Sequence, residues 1–203
     1  MGVRSLSSDA NWQQPLRWAR KARALGERHR VFCASMGDVL EARKELHEPR
    51  KRLCDVIAET ADALDWLLLT KRPQNADMIS RDVWARVWAG TSAGLQVTAN
   101  KNIPQLLRVP AAKLFLSAEP LLGSVDISIY LPHLDWVIVG GESGPRARPM
   151  QPDWARSLRD QCRAKGVPFF FKQWGQHDQT GRPAGKKVAG RLLDGRTWDE
   201  VPG

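Results

Sequence analysis

Short apolar runs alternate with helical patterns along most of the chain. Between Val31 and Phe171 each run ends in a polar cluster, and most are followed by apolar residues at three- and four-residue spacing. Short continuous apolar strands that alternate with helices indicate a parallel sheet covered on both faces. The pattern therefore predicts an α/β fold, either an open doubly wound sheet or a barrel. The predicted strands are Val31–Met36, Asp65–Thr70, Val83–Ala89, Lys113–Leu116, Asp135–Val139 and Val167–Phe171.

Predicted helices fill the gaps between these strands. Residues 53–64, 74–82 and 98–108 read as helices, and a clear helix runs from Pro152 to Lys165 with Gly166 as its stop. A chain of 203 residues favours one domain. We predict a basic segment at 1–30, a barrel domain at 31–175, and an irregular C-terminal tail at 176–203 packed on the barrel.

Polar residues gather where the predicted strands end. In parallel α/β folds these ends face the same way and ligands bind there, so the clusters are expected to converge on one binding site. No catalytic residue or metal ligand can be assigned. The candidate ligand-binding residues are Ser35, Asp38, Lys71, Arg72, Thr91, Ser92, Glu119, Gly140, Gly141, Glu142, Ser143, Lys172, Gln173 and Trp174.

Each candidate also has a structural explanation. Gly140 and Gly141 would let a backbone approach a ligand, or would only serve a tight loop. Glu119 would act as a base or a cation ligand, or would pair with a nearby lysine. Trp174 would stack on a base or pack in the core. Asp38, after a glycine, is first of all a turn former.

Charge and composition narrow the partners. The formal net charge of +9 favours nucleic acid or a nucleotide as a partner, or is only that of a generally basic soluble protein. The basic segment at 1–30 is either a phosphate-contacting arm or a solvated helix. No CxxC or HxxxH spacing supports a metal site. No run reaches the roughly 18 apolar residues of a membrane span, and no secretory signal is seen, so we expect a cytoplasmic protein.

Several ordered motifs resemble the bacteriophage-associated, radical-SAM-like "three-Cys-motif" family. They are the stretches 69–73, 115–123, 136–144 and 169–175, with 193–199 near the C-terminus, so the resemblance covers residues 12–202. It implies a radical-SAM-like partial (β/α) barrel of about six parallel strands. It also implies S-adenosylmethionine at the strand ends, a [4Fe–4S] cluster held by an N-terminal cysteine motif, and nucleic-acid modification with a partner protein.

The chain departs from that family in its cysteines. No cysteine precedes Cys33, and Cys33, Cys54 and Cys162 are too scattered to converge on one cluster. The cluster ligands are therefore expected to be absent, and the first strand–helix unit with them, through truncation or loss. The strand at 31–36 would then have an open edge, covered by the basic segment with Trp12 and Trp18 or by a second copy in a homodimer.

Three functions stay open. The preferred hypothesis is a barrel that keeps a nucleotide or S-adenosylmethionine-like pocket but performs no radical chemistry alone. The second is an active enzyme whose cluster ligands come from elsewhere or whose chemistry needs no cluster. The third is a non-catalytic phage protein that binds nucleic acid or a partner.

Overall fold

The computed structural model describes residues 8–33 and 38–203. Its helices and strands follow one another in the alternation that the sequence predicts. In chain order they are α1 (Asp9–Leu25), β1 (His29–Cys33), α2 (His47–Thr60), β2 (Leu64–Thr70), α3 (Arg81–Trp84), β3 (Val87–Ser92), α4 (Gln96–Leu106), β4 (Lys113–Ala118), β5 (Trp136–Gly140), α5 (Pro152–Lys165), β6 (Phe169–Gln173) and α6 (Lys186–Ala189). Short 3₁₀ helices cover Lys44–Leu46, Pro73–Met78 and Leu131–His133.

The described residues form a six-stranded parallel sheet in the order β1 to β6. At one edge of the sheet Val31 of β1 pairs with Trp66 of β2, and at the other edge Ile138 of β5 pairs with Phe170 of β6. A doubly wound sheet reverses its strand order, whereas a (β/α) barrel does not. The observed order therefore confirms the partial (β/α) barrel. Strand β5 is buried at every position, which explains its uninterrupted apolar sequence.

Contacts divide the described residues into two compact units. The first contains the residues up to Ala89 together with Val109–Lys113, and the second contains Gly90–Arg108 and Leu114–Gly203. The domain boundaries predicted from the sequence stay a prediction.

In the first unit, most of the described part of the basic N-terminal segment forms helix α1. The Ser8 side chain caps α1 and Gly26 ends it in the left-handed conformation. Ala19 and Ala22 are buried on its inner side, and α1 packs chiefly on α2 with further contacts to β1 and β2. Strand β1 is an edge strand of the sheet. Pairing of that edge with a second copy stays a prediction.

The predicted start of the third strand was wrong. Val83 and Trp84 belong to α3, and β3 begins only at Val87. The Trp84 indole N–H donates to the Ala76 carbonyl, 2.8 Å away, which ties this short helix to the preceding segment. A four-residue helix is too short to show a helical period, so its apolar side chains read as part of the strand. The part of the first predicted strand at 34–36 lies outside the described residues.

In the second unit, α5 has the predicted bounds, with Leu158 and Cys162 buried. The C-terminal tail pairs with the outer side of β6. Phe170 forms an antiparallel bridge to Asp199, and the Phe171 amide donates to the Trp198 carbonyl at 2.9 Å. The Glu200 carboxylate accepts the Phe169 amide, also at 2.9 Å. The tail thus satisfies the backbone donors that β6 would otherwise leave unpaired.

Candidate functional site

A polar cluster lies at the carboxyl ends of β4 and β6 in the second unit. Glu119 directly follows β4, and its carboxylate accepts hydrogen bonds from Lys172 Nζ at 2.8 Å and from Gln173 Nε2 at 3.2 Å. Gln173 is buried, whereas the Lys172 and Glu119 side chains are 42% and 21% exposed. The cluster is therefore anchored in the core through Gln173 and open to solvent at Lys172 and Glu119.

A β-bulge brings two consecutive side chains to the same carboxylate. In a regular strand, Lys172 and Gln173 would point to opposite faces of the sheet. The register between β5 and β6 shifts at this point: Val139 lies beside Phe171, but Gly140 lies beside Gln173. The bulge turns the strand end and lets both residues reach Glu119.

The two glycines of this region are closely approached by other parts of the protein. A Cβ on Gly141 would lie 1.8 Å from the Trp174 carbonyl oxygen, and a Cβ on Gly140 would lie 3.2 Å from the Glu119 carboxylate. The Gly141 amide donates to the Gln173 carbonyl at 2.9 Å. Backbone crossing thus accounts for Gly141, and Gly140 leaves room for the Glu119 side chain.

Glu142 is engaged by a different partner. Its carboxylate accepts the Nε, Nη2 and backbone N–H groups of Arg148, each at 2.8 Å. These hydrogen bonds lower the pKa of Glu142 to about 2. Ser143, one residue on, is exposed and lies 3.4 Å from Gln173 Nε2, at the long limit of a hydrogen bond.

Other candidates of this unit lie deeper. Trp174 is buried, packs on Phe171 with ring centroids 5.0 Å apart, and donates its indole N–H to the Leu192 carbonyl. That is the position of a core residue and not of a base-stacking one. Thr91 is fully buried in β3, and the Ser92 carbonyl accepts the Asn102 amide at 3.1 Å.

In the first unit, a second set of candidates surrounds Asp38. Its carboxylate accepts the Thr70 hydroxyl and the Lys71 amide at 2.7 Å each, and the Leu40 amide at 3.0 Å. Arg72 Nη1 lies 3.4 Å from it. These bonds join the loop after β1 to the end of β2, so Asp38 organises the backbone there. The Lys71 side chain is exposed. Ser35 lies outside the described residues.

The predicted candidates thus fall into separate groups. Glu119, Ser143, Lys172 and Gln173 come together in the second unit, and Asp38, Lys71 and Arg72 come together in the first. Convergence of all strand ends on one binding site stays a prediction.

Two residues that sequence reasoning missed belong near the second-unit group. Arg148 fixes Glu142, and the buried Ser117 hydroxyl in β4 has no hydrogen-bond partner among the described residues. Arg148 lies in a loop without hydrophobic periodicity, so no sequence pattern predicts its contact with Glu142. Ser117 does carry a signal, because a serine inside an apolar strand needs a partner for its hydroxyl.

The cysteines do not form a ligand set for an iron–sulfur cluster. Cys33, Cys54 and Cys162 lie on β1, α2 and α5, and burial raises the pKa of the Cys162 thiol to about 12. Within residues 8–33 and 38–203, no group of three His, Cys, Asp or Glu residues could hold a metal ion. None of the helices in these ranges is long and apolar enough to cross a membrane.

Comparison with known proteins gives one result. No curated protein and no solved structure matches the chain. The sequence profile of one family, described as a protein of unknown function and designated DUF5131, matches residues 2–202. Because this match covers nearly the whole chain, the protein belongs to the DUF5131 family.

Proposed function

We propose that the cluster at the ends of β4 and β6 binds S-adenosylmethionine or a related nucleotide, on a radical-SAM-like barrel that performs no radical chemistry alone. One observation carries the proposal: the solvent-accessible Glu119 carboxylate is held by Lys172 and by the buried Gln173. Ligands of parallel α/β folds bind at the carboxyl ends of the strands, where this cluster lies.

The charges of the cluster complement an amino-acid group. S-adenosylmethionine carries an ammonium and a carboxylate on one carbon atom. The ammonium would replace Lys172 as the partner of Glu119, and the ligand carboxylate would pair with the released Lys172. The Gln173 amide stays bonded to Glu119 and keeps that carboxylate in place. The exposed Ser143 hydroxyl supplies a further donor and acceptor for a ribose.

Bound S-adenosylmethionine supplies an activated methyl or aminocarboxypropyl group, and the chain's own residues orient it. The cysteines do not fit a cluster, so reductive cleavage forms no part of the proposal. Modification of nucleic acid together with a partner protein is the role that accords with the basic net charge and with the family resemblance.

Calorimetric titration tests the proposal. S-adenosylmethionine and S-adenosylhomocysteine are titrated into the wild-type chain and into Glu119→Gln and Lys172→Met. Asp153→Asn is the control, because it removes one exposed charge from an ion pair on α5. We expect binding to the wild type and the control, with about tenfold weaker affinity in each of the other variants. Equal affinity in all four proteins, or no heat for any ligand, refutes the proposed site.

A second candidate function, nucleic-acid binding, is favoured by the outer face of α1. Arg17, Arg20 and Lys21 are exposed beside Trp18, whose side chain is 40% exposed. Lysine and arginine contact phosphates, and an exposed tryptophan can stack on an unpaired base.

The test measures affinity for a single-stranded oligonucleotide at several salt concentrations. Arg17→Gln/Lys21→Gln should weaken binding and flatten its salt dependence, because fewer counterions are released. Lys186→Gln/Lys187→Gln on α6 removes the same charge and is the control. Identical salt dependence in both double variants excludes α1 as the contact surface.

A further inference from the structure

A cavity of about 550 Å³ opens in the first unit beside α2. Its walls come from α2, from the segment that precedes α2, and from residues 78–80. This volume lies within the range of small-molecule sites. None of its residues was a candidate ligand-binding residue in the sequence, and none belongs to the Glu119 cluster.

The cavity wall is positively charged. Arg43, Lys44, Arg50 and Lys51 line it together with His47, and none of the described residues that line it is an aspartate or a glutamate. Two of these charges have carboxylate partners outside the wall: Arg43 pairs with Glu41, and Lys51 pairs with Asp55. The remaining cations face the cavity without a counterion in its wall.

Arg50 is the second, independent indication of an anion. It is only 7% exposed, yet its hydrogen bonds go from Nε to the Val39 carbonyl at 2.9 Å and from Nη2 to the Glu41 carbonyl at 3.0 Å. Carbonyl oxygens satisfy the donors but carry no net charge. Burying a guanidinium without a carboxylate is unfavourable, and an anion in the cavity would offset that cost.

Apart from Ser80, the remaining residues of the cavity wall are apolar or weakly polar. Met78 and the buried Ile79 line the cavity, and so does the half-buried Cys54 of α2. Apolar side chains that adjoin a basic rim fit a ligand with an anionic end and a flat apolar part. The flexible side chain of a methionine can adapt to the flat apolar part of such a ligand.

We propose that this cavity binds a nucleoside phosphate, with the phosphate near Arg50, Lys44 and His47 and the base against Met78 and Ile79. The site is separate from the one proposed for S-adenosylmethionine, and the two can fail independently.

Cys54 provides a reporter inside the cavity. Its alkylation by N-ethylmaleimide is followed by peptide mass spectrometry, at mildly alkaline pH because burial raises the pKa of its thiol. AMP, adenosine, inorganic phosphate and a single-stranded oligonucleotide are the competing ligands. We expect AMP to slow the modification of Cys54 saturably and at lower concentration than adenosine or phosphate.

Two double variants decide whether the basic wall is responsible. Lys44→Gln/His47→Gln should weaken protection by AMP about tenfold, since two phosphate contacts are lost. Lys186→Gln/Lys187→Gln on α6 removes as much or more charge outside the cavity and should leave protection unchanged. Both changes are at exposed positions, which keeps the fold intact.

Three results overturn the inference. The first is that AMP fails to protect Cys54 at millimolar concentration. The second is that phosphate alone protects Cys54 as well as AMP does. The third is that the oligonucleotide protects Cys54 where AMP does not. Equal weakening in both double variants also overturns it, because the effect would then come from net charge and not from this cavity.

Discussion

Two replacements of Glu119 distinguish the effect of its charge from its effect as the hydrogen-bond acceptor of Gln173. Glu119→Ala removes both acceptor oxygens, so the buried Gln173 amide keeps only its long contact of 3.4 Å to Ser143. Glu119→Gln keeps one carbonyl oxygen at the same place, which can still accept from Gln173. The two variants therefore differ in whether a buried donor is left without a good acceptor.

The magnitudes follow from exposure. The ion pair with Lys172 is substantially solvated, so its loss costs at most about 1 kcal/mol. A buried amide without its acceptor adds about 1–3 kcal/mol. We therefore expect unfolding free energies lowered by about 1 kcal/mol in Glu119→Gln and by about 2–4 kcal/mol in Glu119→Ala.

Urea unfolding followed by circular dichroism measures both values. Asp153→Ala, which breaks an exposed ion pair with Arg156, serves as the matched control and should change stability by less than about 0.5 kcal/mol. Equal destabilisation by Glu119→Gln and Glu119→Ala would refute the reasoning, because the charge and not the acceptor of Gln173 would then matter. A neutral Glu119→Ala would refute it as well.

Three further predictions follow from other contacts. Ser117→Ala should raise the unfolding free energy by about 1 kcal/mol because it removes a buried hydroxyl without a described partner, whereas Thr60→Val should lower it by about 1–3 kcal/mol because the Thr60 hydroxyl donates to a carbonyl and accepts an indole N–H. Urea unfolding that shows both variants stabilised, or both destabilised, contradicts this. The low pKa of Glu142 stabilises the fold above about pH 4.5, and this contribution is lost as the pH falls towards 2. In Arg148→Met, the pKa of Glu142 measured by NMR should return towards its usual range, and the stability should depend less on pH between these values. A Glu142 pKa that is the same in the variant and the wild type contradicts the ion pair. At the β1 edge, light scattering should give a dimer mass that Phe32→Asp reduces to a monomer; a wild-type monomer at every concentration contradicts pairing there.

Strands and long helices could be predicted because their signals are local. Strand β5 is buried on both faces, so its sequence is apolar throughout and its bounds nearly match the prediction. Helix α5 begins with Pro152 and stops at Gly166, where φ is 68° and glycine is favoured. Such signals lie within a few residues of the feature they announce.

The site depends on information that is not local. Lys172 lies 53 residues from Glu119 along the chain, and their pairing requires the bulge opposite Gly140. A period of two places Lys172 and Gln173 on opposite faces, and no residue type marks the bulge. The sequence leaves Gly141 open between close approach to a ligand and a tight loop, and in the structure the Trp174 carbonyl lies where a Cβ would be. A glycine can make room for a ligand or for another part of the chain, and the tertiary structure decides which of them it is.

The two proposed sites differ in how their own charges are balanced, and this difference makes them separable. Glu119 and Lys172 neutralise each other. The ammonium and carboxylate of the ligand's amino-acid group would replace this one ion pair by two, so that this group adds no net charge to the site. Around Arg50 the wall carries cations without a carboxylate, so an anion adds the missing countercharge. Salt screens the second kind of attraction far more, because it depends on net charge. Raising the salt concentration from about 0.05 to about 0.5 M should therefore weaken AMP protection of Cys54 severalfold while changing little the affinity for S-adenosylhomocysteine, which lacks the sulfonium charge and is net neutral. Equal salt dependence of both ligands would show that they bind through the same kind of contact, and the assignment of distinct ligand classes to the two clusters would then be wrong.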